Sequence, residues 1–193
     1  MVRAVYLSPW RIDVVVRDGV HLPTSVTGLG RSAAGALTAA GASSPASVGL
    51  VLTGDLELSS LNERHMGQEG ATDVLSFPLL PPSAYPPHEG QDQAVAPGAV
   101  SREQGSAVSF ALPPGRRPHL GDIVISVERA IDQATTGRGG HTGRVQWSAA
   151  DELRLLVIHG VLHLCGWDHV RPAEEAAMRA LERQLLEGAD GRA

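Results

Sequence analysis

Residues 159–169 read His159-Gly160-Val161-Leu162-His163-Leu164-Cys165-Gly166-Trp167-Asp168-His169, and the rest of the chain is best understood outward from them. On a helix, His159 and His163 stand one turn apart and project both imidazoles from one face. Gly166 supplies the left-handed residue that ends a helix and turns the chain back. His169 then stands where a third nitrogen completes a tripod. Three neutral imidazoles with one open position suit a catalytic zinc site better than a closed structural one. A lone histidine is usually a solvated or core residue. Here two of the three lie on an otherwise apolar helix, where burying unpaired imidazoles is costly. That helix opens at Ser148, with Asp151 placed to form a capping box. It runs through Leu153, Leu155, Leu156, Val157, Ile158, Val161 and Leu162, and a helix apolar on nearly every side is a buried one. Pro172 opens a final helix that continues to about Leu186, before Gly188.

Upstream, alternation and β-branched residues predict strands at 10–17, 47–53, 73–77 and 121–126. Helical patterns fall at 24–40, 55–66 and 127–135. Residues 79–118 hold most of the prolines and show no sustained period, so they read as a partly disordered insertion on one domain spanning 1–193. The element order predicts an α+β fold, a small mixed four-stranded sheet packed with helices, one of them the buried helix that carries the histidine pair.

Composition narrows the function classes. The chain has 193 residues, 42% of them hydrophobic, 19% charged and 4% aromatic. That apolar content excludes a disordered protein, and no apolar run reaches the ~18 residues a membrane span needs. Residues 1–16 show no signal peptide, so a cytoplasmic location is the expectation. One cysteine, Cys165, permits no internal disulfide and fits a reducing compartment. The net charge of −5 argues against a surface that grips nucleic acid throughout, but it leaves room for a local basic patch. Every one of the 16 basic residues is arginine, which bonds phosphate in bidentate fashion.

The histidine spacing also occurs in metzincin peptidases, HExxHxxGxxH, where the Glu after the first His is the general base. Gly160 stands at that position, so peptide hydrolysis loses its base. A closer match is available. HGVLHLCGWDH (159–169), TDVLSFP (72–78), LGDIVIS (120–126) and the Leu61–Asn62 pair together resemble the YbeY endoribonuclease family of bacterial rRNA-maturation metalloproteins. The resemblance implies a zincin-like fold and one Zn²⁺ per chain held by His159, His163 and His169. It implies a single-strand-specific endoribonuclease that matures the 3′ end of 16S rRNA and serves ribosome quality control. Its partners would be ribosomal RNA and the small ribosomal subunit, with no DNA and no membrane. A non-catalytic, metal-stabilised ribosome-assembly factor is the alternative. One departure stands out: the family's phosphate-binding arginine, six residues before Thr72, is here Met66, which cannot neutralise a phosphate.

Other residues admit two readings each. Asp168 either supports a ligand ring and serves as base, or caps local backbone. Asp122 lines the site or bonds nearby backbone; Thr72, Asp73 and Ser76 form an edge strand that an extended substrate can follow. Arg116, Arg117 and Arg144 are candidate RNA contacts within an arginine-rich stretch that otherwise reads as a solvated face. Trp147 and Trp167 are the aromatics placed for base stacking, or are core. Cys165 reads as a buried apolar residue.

Overall fold

The computed structural model describes residues 1–67, 70, 72–91, 117–136 and 147–190. Five strands form one sheet: β1 (Val2–Leu7), β2 (Trp10–Val16), β3 (Ala46–Thr53), β4 (Val74–Pro78) and β5 (His119–Ser126). Their order is β1-β2-β3-β5-β4. The inner strands β2, β3 and β5 run parallel, and β1 and β4 pair antiparallel at the two edges. The fold class is as expected from sequence, but the sheet has five strands where four were predicted. The additional strand is β1, of whose residues only Val5 is buried. An edge strand with one buried side chain carries too little alternation to stand out in sequence. It is held by the hairpin to β2 and by α1 (Val26–Ala39), whose Gly30 comes so close that a Cβ there would lie 2.9 Å from Val5 Cγ1.

The central strand β3 is buried almost throughout, as a parallel strand covered on both faces must be. On one face its Leu50 and Leu52, with Ile12, Ile123 and Ile125, meet α1, α4 (Ala149–Leu164) and α5 (Pro172–Asp190) in the main core. On the other face, Leu58 of α2 (Asp55–Met66) packs with Leu75 and Val124 in a smaller cluster. The helix α3 (Val127–Thr136) follows β5 directly. Of the Pro-rich segment, residues 79–91 are described and contain a short 3-10 turn, Pro82–Ala84, while 92–116 lie outside the described residues.

The α4 helix begins as its sequence predicts. Ser148 accepts from the Asp151 N–H, and the Asp151 carboxylate accepts from the Ser148 N–H, a complete capping box. It ends in a Schellman motif: Trp167 N–H bonds Leu162 O and Gly166 N–H bonds His163 O, both at 3.0 Å, with Gly166 at φ +85°. Between its ends, α4 lies unusually close to the sheet. A Cβ on Gly160 would sit 2.6 Å from Ile123 Cγ2 and 3.2 Å from Val74 Cγ2. Ser76 Oγ donates to the Gly160 carbonyl at 2.9 Å. This contact fixes the rotation of α4 about its axis.

Gly160→Ala therefore overpacks a buried contact and is expected to destabilise the protein by ~1–3 kcal/mol, read as a lower urea midpoint at unchanged m-value.

Candidate metal centre

With Gly160 against the sheet, His159 and His163 turn toward α5 and the loop after Gly166. His159, His163 and His169 come together with one nitrogen from each within 4.8 Å of the others. Their ring centroids are 4.5, 5.0 and 5.6 Å apart. The sequence tripod is thus assembled in three dimensions.

The hydrogen bonds decide which nitrogens face the centre. His163 Nδ1 bonds the Trp167 carbonyl at 2.9 Å, and a carbonyl only accepts, so that nitrogen carries the proton. His159 Nδ1 bonds Glu182 Oε1 at 2.8 Å, and the carboxylate acts likewise. Both Nε2 atoms are then lone pairs, and they face one another at 3.0 Å. Two lone pairs at that distance repel unless a cation lies beside both. Ligand bonds of ~2.0–2.1 Å at tetrahedral angles place nitrogens about 3.3 Å apart, so this donor set fits zinc. Carboxylate and carbonyl acceptors behind the rings fix their tautomer and orientation, as metal-bound imidazoles require. Burial, followed by the neighbouring His159 and His169, lowers the His163 pKa to about 4, which keeps the ring in its neutral form.

A cleft of about 320 Å³ opens beside the cluster. One face of α5 lines it with Glu175, Met178, Arg179, Glu182 and Arg183. Opposite are His159, Glu152 and Leu156 of α4, with Asp73 and His169. Most of the acids are engaged: Glu182 with His159, Glu175 with Arg179 at 2.5 Å, and Asp73 with Gln133 at 3.0 Å. Trp147 donates its indole N–H to Glu152.

The remaining sequence expectations divide. Asp168 Oδ1 accepts the backbone N–H of His169 at 2.7 Å, so it holds the third histidine through its backbone. Asp122 pairs with His119 at 3.1 Å and is not among the residues lining the cleft. Asp73 does line it, and Ser76 donates its hydroxyl to the Gly160 carbonyl of α4. Arg117 donates to the Pro9 carbonyl at the β1–β2 turn, beyond the end of β5 opposite Asp73. Arg116 and Arg144 lie outside the described residues. Trp167 is buried and stacked on His88, and Cys165 is buried, its thiol pushed up to about 12. Met66 ends α2 on the other side of the sheet and does not line the cleft. Sequence reading missed Glu182, Arg179 and Arg183. Their only signal was a shared face of the last helix, and nothing local says which face meets the histidines.

Known proteins resemble this chain over most of its length. Residues 27–190 match the family model described as Endoribonuclease YbeY. A protein named endoribonuclease YbeY from Salinispora tropica is 41% identical over 70% of this chain and 70% of its own length. Proteins of the same name from Symbiobacterium thermophilum and Chloroflexus aggregans are 38% and 33% identical, over 79% and 92% of this chain and 77% and 94% of their own. The solution structure of TM1509 from Thermotoga maritima shares the fold, with a TM-score of 0.50 at 20% identity over 93% of this chain and 89% of that one.

Two outcomes follow from the site. His163→Ala is expected to abolish tight metal binding, and Glu182→Gln, which weakens the acceptor behind His159, to lower metal affinity ~10–100-fold in a chelator competition. Between pH 6.5 and about 4 the unfolded chain binds more protons at His163 than the folded one does, because the folded pKa is depressed. Metal-free protein therefore loses stability as pH falls through that window and regains it on return above 6.5, checked by urea midpoints across the range.

Proposed function

The chain belongs to the YbeY endoribonuclease family, and from that premise we propose that it is a zinc-dependent endoribonuclease acting on single-stranded RNA. The observation that carries this reading is the facing pair of imidazole lone pairs, with His169 beside them, at the edge of an open cleft. His159, His163 and His169 would hold one Zn²⁺. Bound there, zinc supplies Lewis-acid polarisation to a phosphodiester. Glu182 and the Trp167 carbonyl keep the two Nδ1 protons in place and the rings aimed.

The cations that meet RNA come from α5. Arg183 is exposed, lines the cleft and has no ion pair among the described residues; Arg179 lies one turn before it, paired with Glu175. Guanidinium groups bond phosphate in bidentate fashion, which suits the backbone of a strand lying past the histidines. A peptidase reading fails sterically, since position 160 faces Ile123 and has no room for a carboxylate side chain. The family supports ribosomal RNA as the substrate, with 3′-end maturation of the 16S molecule, ribosome quality control and the small subunit as partner. A cytoplasmic setting accords with this, and no helix among the described residues is long and apolar enough to cross a membrane.

Zinc-loaded protein is expected to cut a labelled single-stranded RNA while identically prepared His163→Ala does not. A 2′,3′-cyclic phosphate on the product would mark attack by the RNA's own 2′-hydroxyl. No cutting by protein that still holds zinc would overturn the nuclease reading in favour of a metal-stabilised assembly factor. Arg183→Gln should weaken RNA binding and lower the slope of log K against log salt by ~0.7, the loss of one phosphate contact.

A further inference from the structure

The described part of the Pro-rich segment does not pass freely over the surface. Tyr85 is buried, and Gly90 fits so closely against the start of α5 that a Cβ there would lie 2.5 Å from Glu174 N. Around Gly90, His88 and Gln91 close a turn, with Gln91 N–H on His88 O at 3.2 Å. The His88 ring stacks on Trp167, centroids 4.0 Å apart at 15°. Its Nε2 meets Glu174 Oε1 at 2.7 Å, and the two side chains are only 7% and 4% exposed.

Both partners of His88 act on the metal loop. Trp167 presents the carbonyl that orients His163. Glu174 Oε1 also accepts the backbone N–H of Asp168 at 3.1 Å, one residue before His169, while Oε2 takes Arg171 at 2.8 Å. The turn joining the second and third histidines is thus held at two successive residues, at Trp167 by His88 directly and at Asp168 by Glu174, the carboxylate that His88 bonds.

We propose that His88 is a positioning residue for the metal centre: stacked on Trp167 and bonded to Glu174, it sets the 167–169 turn so that His163 and His169 converge. The inference rests on the metal reading and assigns the Pro-rich segment a task, buttressing the ligand turn. Removing the ring leaves a void beside the indole and takes one partner from a buried carboxylate, freeing the turn to shift. Ligand geometry is sensitive to such shifts.

The test is a zinc titration of full-length protein by chelator competition, well below the melting temperature, comparing wild type with His88→Ala and His88→Gln. The expected result is zinc affinity lower by ~10-fold or more in His88→Ala. His88→Gln, which keeps a donor toward Glu174 but not the stack, should fall between the two. A residue that only fills space would lower the melting temperature and leave zinc affinity alone. A folded His88→Ala with affinity within twofold of wild type therefore overturns the proposal. If His88→Ala fails to fold, His88→Gln is read by the same criterion. Wild type that binds no zinc would sink the metal reading itself, an outcome visible before any variant is compared.

Discussion

The close seat of α4 on β4 and β5 at Gly160 governs everything else in this molecule. A helix and a sheet normally stand apart by the thickness of their side chains, and here one position has none. Ile123 and Val74 fill the space, and Ser76 bonds the Gly160 carbonyl. With one face of α4 pressed to the sheet, His159 and His163 must face away toward α5. The three sequence motifs around 72–78, 120–126 and 159–169 are thus parts of a single contact, in which the strands shape the seat and the helix presents the histidines.

From that seat the site is built by acceptors of different origin. Glu182 reaches His159 from the last helix, and the Trp167 carbonyl reaches His163 from the turn that ends α4. Neither acceptor is a ligand, yet each determines which nitrogen can be one. Burial then holds His163 neutral, the form a metal binds. The acidic residues around the cleft are mostly engaged with partners, so their charge is spread over local pairs, while Arg183, which has no ion pair among the described residues, lines the same cleft.

Local chemistry was legible wherever a signal spans only a few residues. The Ser148–Asp151 box, the Gly166 turn and the i, i+4 histidines each close within one or two helical turns, and each is found as expected. β1 escaped notice because it has one buried side chain in six residues. Glu182 lies 23 positions from His159, and Glu174 lies 86 from His88, separations over which no periodicity conveys contact. The three arginines singled out from sequence share a charge-rich stretch, but charge alone does not say which face of a protein it serves, and Arg117 stands at the far end of the sheet.

By itself, the sequence determined the α+β class, the buried helix with its start and stop, and the three imidazoles that converge, because capping, glycine conformation and helical spacing are local constraints. Only the tertiary structure decided which acceptors lock those imidazoles, which helix supplies cations to the cleft, and that the Pro-rich segment braces the turn carrying His169. Those contacts join elements far apart in the chain, and their partners are selected by packing on a shared sheet, which no short stretch of residues encodes.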